Sequence, residues 1–209
     1  MLADELRLWW CPHEDSRPSA RRARVDRLLR ALLAPLLGLA QQDLSFAREA
    51  KGRPFLRHPN APDFNLTDTA GGSAVAICMR GRVGVDIERL DRVPPVVRLA
   101  RRWYSPEEAT ALAALSAEQR APAFLRLWTA KEASCKATGT GIFGYLPRWR
   151  FDAHEEQPQL LALPDDAGTL SHWQHRRITM PGNQHTVVLA LQDAPSLRLN
   201  CFVLAQSER

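Results

Sequence analysis

The sequence has little lysine. Of its 28 basic residues only Lys51, Lys131 and Lys136 are lysines, and the rest are arginines. Lysine offers a compact ammonium with rotatable donors, where arginine offers a planar fork. Two of the three lysines lie five residues apart, which marks a segment where an ammonium is wanted, although chance placement would look the same. Cysteine is also scarce. Cys11, Cys78, Cys135 and Cys201 lie far apart, with no C-x-x-C pair and no histidine at metal spacing. A zinc site is therefore not expected, and reduced thiols are. Long apolar runs are missing too. Residues 28–40 form the most apolar stretch, but Arg30 and Pro35 interrupt it and it is too short to cross a bilayer. Acidic Asp4 and Glu5 near the start do not resemble a signal peptide. These absences lead us to expect a soluble, cytoplasmic protein with no membrane partner.

What is present bounds the rest. The 209 residues, 45% of them apolar, suffice for one large domain or two small ones. A net charge of +5 favours an anionic partner: nucleic acid, a phosphorylated small molecule or an acidic protein.

The pattern reads as an α+β chain. Strands are expected at residues 6–10, 44–47, 64–66 and 74–79, and a basic helix at 19–39 that Pro35 kinks or ends early. Residues 51–54 form a turn. Gly81 and Arg82 suggest that 74–79 and 83–88 make a hairpin. Pro94 and Pro95 mark a boundary between an N-terminal half, 1–93, and a C-terminal half, 94–209. Residues 96–103 read as a helix. Ser105, Pro106 and Glu108 start another, and a long helix over 121–138 is closed by Gly139. Further strands are expected around 149–151, 160–163, 171–179, 186–191 and 198–204.

Two features carry chemistry. In Gly84-Val85-Asp86-Ile87-Glu88, strand alternation puts Asp86 and Glu88 on one face and the apolar pair on the other. Neighbouring carboxylates repel unless a cation lies between them, and Mg²⁺ suits hard oxygen ligands. A solvated acidic face is the bland alternative. In Trp128-Thr-Ala-Lys131-Glu132-Ala-Ser-Cys-Lys136, residues Trp128, Glu132 and Lys136 share a helix face, where a surface ion pair is the alternative.

Together, with forty-one residues between Asp86 and Trp128, the two segments resemble the signature of the 4′-phosphopantetheinyl transferase superfamily, in particular its larger single-chain, surfactin-synthetase-activating type. Lys51-Gly-Arg53-Pro54 resembles the family's G-K-P turn. Residues 64–69 (FNLTDT) resemble its F-N-x-S-H-[ST] segment, and residues 101–108 (RRWYSPEE) its F-F-[ST]-x-x-E segment. The resemblance covers residues 20–150.

It implies a fold of two similar α+β halves, a pseudo-dimer, acting as a monomer with coenzyme A in the cleft between them. It implies transfer of the 4′-phosphopantetheine arm of coenzyme A to a serine of an apo acyl or peptidyl carrier protein, of the holo-[acyl-carrier-protein] synthase type. Adenosine 3′,5′-bisphosphate leaves. Carried over, Asp86, Glu88 and Glu132 would bind Mg²⁺. Glu132, Lys136 and Asp86 would be catalytic, with Glu132 the base. Arg53, Pro54, Thr67, Lys131, Lys136, Arg21 and Arg22 would hold coenzyme A, and Lys131 would also serve docking. Asp68 stands where the family has histidine, so it is expected near the site as a turn residue rather than a phosphate ligand. Arg92, Arg98, Arg101 and Arg102 make a basic rim for an acidic carrier, or a solvated helix face. The six histidines show no catalytic spacing and are expected to be structural. Two rivals remain: another Mg²⁺-dependent phosphodiester-cleaving enzyme, which leaves the Trp128–Lys136 helix unexplained, and an arginine-rich nucleic-acid binder, which lacks a binding motif.

Overall fold

The computed structural model describes residues 4–13, 18–182, 184–194 and 197–204, with side chains throughout except at residues 18–22. In chain order the elements are β1 (Glu5–Pro12), α1 (Pro18–Leu37), β2 (Phe46–Arg48), β3 (Pro54–Leu56), β4 (Asp63–Thr69), β5 (Gly72–Cys78) and β6 (Arg82–Arg89). Then follow α2 (Val96–Trp103), α3 (Pro106–Ala114), α4 (Ala117–Thr138), β7 (Arg150–Phe151), β8 (Leu160–Ala162), β9 (Trp173–Thr179), β10 (His185–Gln192) and β11 (Arg198–Val203). The fold is α+β, as the pattern indicates.

Four layers stack in order: α1, a four-stranded sheet, a three-stranded sheet, and α4. The first sheet runs β11-β1-β5-β4 and the second β6-β10-β9. Strand alternation builds the layers. Trp9, Val75 and Ile77 point one way, onto Leu29 and Leu33 of α1. Leu6, Leu8, Ala74 and Ala76 point the other way, onto Val83, Val85, Val187 and Leu189 of the second sheet. The far face of that sheet offers Val188 and Ala190 to α4 and to Leu146, Trp149 and Trp173. β6 and β10 are thus covered on both faces. Buried leucines such as Leu8, Leu146 and Leu189 cost about 2–5 kcal/mol each when cut to alanine.

Local rules set the helix ends. Ser105 Oγ accepts from the Glu108 amide, and a Glu108 carboxylate oxygen accepts from the Ser105 amide, closing a capping box. α4 begins earlier than 121 because Ser116 caps it, and it ends at Gly139 with φ +70°. α1 runs through Pro35 to Leu37 instead of stopping there.

The expected hairpin between 74–79 and 83–88 does not form. Both edges of β5 are taken, by β1 and by β4, so β6 has no edge to join. After Gly81 (φ +73°) the chain crosses to the second sheet and pairs antiparallel with β10. Strand pairing also crosses a division at residue 93. β6, before it, pairs with β10, and β11, after it, pairs parallel with β1.

Candidate active site

The site begins with a missing side chain. A Cβ on Gly84 would lie 1.9 Å from the Ala133 carbonyl and 2.6 Å from the Ala137 amide nitrogen. Glycine there, facing two alanines, lets α4 rest directly on β6. The close approach brings the face of α4 that carries Glu132 and Lys136 over Asp86. Val83, Val85 and Ile87 leave β6 on the opposite side, into the inter-sheet core.

Asp86 is buried, with its side chain 5% exposed. Its Oδ1 accepts from the Lys136 ammonium at 2.6 Å and from the Thr67 hydroxyl at 3.1 Å. Lys136 also donates to Thr67 Oγ1 at 2.9 Å. Lys136 has three donors, so one N–H remains for a ligand. Asp86 Oδ2 is buried with no hydrogen-bond partner among the described residues. An orphaned anionic oxygen is costly, and a cation would offset the cost.

Two further carboxyls share this environment. Burial first, then the Asp86 charge, push the Glu132 carboxyl up to about 7; Lys136 opposes the shift and Glu88 adds to it. Burial also raises Glu88, while its hydrogen bond from Arg92 opposes the shift. Thr186 lies directly opposite Glu88 in the ladder, and so on the same face, with its hydroxyl buried and unpartnered. A cavity of about 360 Å³ opens beside this group, lined by Arg48, Lys51, Pro54, Glu132, Lys136 and Gly139 among others.

Among the described residues, no three carboxylate, imidazole or thiol groups converge tightly enough to grip a metal ion as they stand. Lys136 and Arg92 neutralise Asp86 and Glu88 instead. The donor chemistry nevertheless fits Mg²⁺: carboxylate oxygens, one of them orphaned, beside an unpartnered hydroxyl.

The structure corrects several expectations. Lys131 faces neither the cavity nor solvent. Its side chain is 0% exposed and its ammonium donates to Glu108 at 2.6 Å, to the Leu146 carbonyl at 3.0 Å and to the Trp149 carbonyl. All three donors are spent, so it neither holds coenzyme A nor docks a carrier. Arg53 reaches the cavity wall, and its guanidinium is bonded internally to Asp63, Lys136, Phe64 and Val83. Asp68 is a strand residue and not a turn residue. It lies in β4 and takes a bond from Ser73 at 2.8 Å, with His13 Nε2 3.0 Å away. Trp128 packs on Phe124 and Tyr104. Arg21 and Arg22 lie in the first turns of α1, and their side chains fall outside the described ones.

Asp86, Glu88, Glu132, Lys136 and Thr67 come together, and Pro54 lines the cavity next to them. Sequence reasoning missed Thr186 and Arg48. It also missed why Gly84 is glycine, although a glycine two residues before an acid on a strand pattern is a sign of close backbone approach.

Comparison with known proteins points the same way. Residues 82–191 match the 4′-phosphopantetheinyl transferase superfamily, beyond the residue-150 limit of the motif resemblance. Protein slr0495 of Synechocystis sp. is 36% identical over 147 residues, covering 69% of this chain and 58% of slr0495. The 4′-phosphopantetheinyl transferase HetI of Nostoc sp. is 30% identical over 170 residues, 68% of this chain and 72% of HetI. The 4′-phosphopantetheinyl transferase Sfp of Bacillus subtilis is 26% identical over 141 residues, 67% of this chain and 61% of Sfp. The match to slr0495 and Sfp thus spans about three fifths of their length. Among solved structures, the holo-[acyl-carrier-protein] synthase of Thermotoga maritima aligns over 55% of this chain and 64% of its own, at 23% identity and TM-score 0.43. No helix among the described residues is long and apolar enough to cross a membrane. By the match over residues 82–191 and the likeness to HetI, this chain belongs to the 4′-phosphopantetheinyl transferase superfamily.

Proposed function

We propose that this chain transfers the 4′-phosphopantetheine arm of coenzyme A to a serine hydroxyl of an apo acyl or peptidyl carrier protein. The observation that carries the proposal is the half-satisfied Asp86–Lys136 pair at the edge of a basic cavity. Asp86 keeps one oxygen without a partner, and Lys136 keeps one N–H. Arg48 and Lys51 add positive charge on the cavity wall, which suits the phosphates of coenzyme A.

Each residue has a part. Asp86, Glu88 and Glu132 would hold Mg²⁺, with the Thr186 hydroxyl beside Glu88. When bound, the metal supplies charge neutralisation for the pyrophosphate. Lys136 directs its remaining N–H to a phosphate oxygen and steadies the departing adenosine 3′,5′-bisphosphate. Glu132 takes the proton of the carrier serine, directly or through water, as that oxygen forms its bond to phosphorus. Thr67 holds Lys136 and Asp86 in register. Coenzyme A lies in the cavity against Pro54 and Arg48.

Arg98, Arg101 and Arg102 are exposed on α2, around a groove also lined by Val96 and Val97. Nearby Phe143 is 76% exposed and packs edge-on against Trp103. A basic rim with an apolar centre suits an acidic carrier helix. The frame we propose is two halves, residues 1–93 and 94–209, that exchange β6 and β11 as ladder partners. Thr67 and Asp86 come from the first half and Glu132 and Lys136 from the second, so a single chain supplies both sides of the site, which supports a monomer; a cytoplasmic location belongs to the same reading. The holo-[acyl-carrier-protein] synthase type of activity is the finer assignment within this reading.

The test is intact-mass measurement of a panel of apo carriers (fatty-acid, polyketide and nonribosomal-peptide) after incubation with the protein, coenzyme A and Mg²⁺. A gain of one phosphopantetheine arm on at least one carrier is expected. No gain on any carrier refutes the proposal.

A further inference from the structure

Arg53 sits at a junction. Its side chain is 3% exposed, yet it touches the three elements that carry Thr67, Asp86 and Lys136. Nε donates to the backbone carbonyl of Lys136, on α4, at 2.9 Å. Nη2 donates to the carbonyl of Val83, on β6, at 2.9 Å, and to that of Phe64, on β4, at 3.3 Å. Nη1 and Nη2 grip the two carboxylate oxygens of Asp63 at 2.9 and 2.7 Å.

The edge of β6 that faces β4 is bonded by side chains instead of a backbone ladder. Asp63 Oδ2 accepts the Val83 amide at 2.7 Å, and Asn65 Oδ1 accepts the Val85 amide at 3.0 Å. Asp86 follows immediately on β6, and Thr67, two residues past Asn65, bonds it. A ladder would fix the strands about 4.8 Å apart. Side-chain spacers set another separation, one that depends on the length of Asp63, Asn65 and Arg53.

We infer that Arg53, acting through Asp63 and the carbonyls of Lys136, Val83 and Phe64, is a positioning residue. It fixes where the α4 backbone at Lys136 sits relative to Asp86, and so aligns the two halves of the transfer site. The inference rests on the transferase reading for its kinetic consequence, but not for its geometry. The fork matters. A lysine at this position keeps the charge beside Asp63 but cannot reach Lys136, Val83 and both Asp63 oxygens from one nitrogen. Displacement of reacting groups by about 1 Å can cost about a hundredfold in rate.

The test compares wild type with Arg53→Lys, well below the melting point of each. Three quantities are read: kcat and KM for coenzyme A, amide hydrogen exchange at Val83 and Val85, and the protected Lys136 ammonium signal by nitrogen NMR. The expected result is a tenfold or larger fall in kcat, a change under threefold in KM, faster exchange at both amides and a weakened Lys136 signal. A merely structural arginine would loosen the amides and leave kcat per folded molecule unchanged, and that result overturns the inference. So does retention of both NMR signatures, whatever the rate. If wild type shows no transfer, the transferase reading fails, and the Lys136 ammonium signal alone decides the junction: weakened, it stands; kept, it falls. Should Arg53→Lys not fold, Asp63→Asn weakens the grip on the same guanidinium, and the same readouts apply with smaller shifts in the same direction.

Discussion

α4 carries two lysine–acid pairs five residues apart, Lys131–Glu108 and Lys136–Asp86, each with a 2.6 Å contact. The first is sealed, with side-chain exposures of 0% and 4%, and Glu108 also caps α3 and accepts the Phe151 amide. The second is open on the lysine side, at 29%, and leaves an acidic oxygen without a partner. Satisfied polar groups in a core hold a structure together. Unsatisfied ones beside a cavity have capacity left for a ligand. On this contrast rests our proposal that Lys131 serves stability and Lys136 serves function, although both sit in one motif.

Substitutions can break the contrast in either direction. The largest effect is expected from Asp86→Ala and Glu132→Ala. Each should lower transfer at least about a hundredfold in the carrier-mass assay while circular dichroism shows a folded protein. Wild-type-like rates in either would remove the residue from the site.

Lys131→Met should act on stability instead. It leaves Glu108 charged and buried, a change that costs about 3–5 kcal/mol. Denaturant unfolding should report that loss, and transfer per folded molecule should stay near wild type. If Lys131→Met abolishes transfer while stability is unchanged, the contrast between the pairs fails.

A smaller effect concerns pH. The Glu132 carboxyl is raised from 4.5 to about 7 in the folded chain, chiefly by burial and Asp86. The folded state therefore binds the proton more tightly than the unfolded state. The stability this brings is fully present below pH 4.5 and is lost as pH rises through 7. Metal-free protein should lose about 1–3 kcal/mol of stability across that window and melt progressively lower. Glu132→Gln should flatten the dependence, and Mg²⁺ should restore wild-type stability at the upper end. Equal pH slopes in wild type and Glu132→Gln, measured by differential scanning calorimetry with chelator, would contradict this.

The smallest effect should come from Glu88→Ala, because Arg92 already occupies that carboxylate and water can replace it at the metal. A loss of several-fold, partly restored by higher Mg²⁺, is expected from titrating the metal in the transfer assay.

The site was legible where the information is local. Strand alternation correctly set Asp86 and Glu88 apart from Val85 and Ile87, and helical spacing correctly placed Glu132 with Lys136. The capping box at Ser105 was readable for the same reason. Long-range partners were not. Lys131 is buried because Glu108, 23 residues earlier, and two later carbonyls surround its ammonium. Arg53 is a clamp because Lys136, 83 residues away, offers it a carbonyl. The hairpin expectation used a turn signal at Gly81 that is real, but a turn does not reveal that β1 already occupies the strand edge. His13 meets Asp68 across 55 residues, and no spacing rule announces such a pair.

The central claim is that Asp86, not Lys131, marks the chemistry. Intact-mass analysis of an apo carrier incubated with coenzyme A and Mg²⁺ tests it with wild type, Asp86→Ala and Lys131→Met side by side. The account predicts holo carrier from wild type and from the folded fraction of Lys131→Met, and almost none from Asp86→Ala. Holo carrier from Asp86→Ala at the wild-type rate, or none from wild type on any carrier, would contradict it.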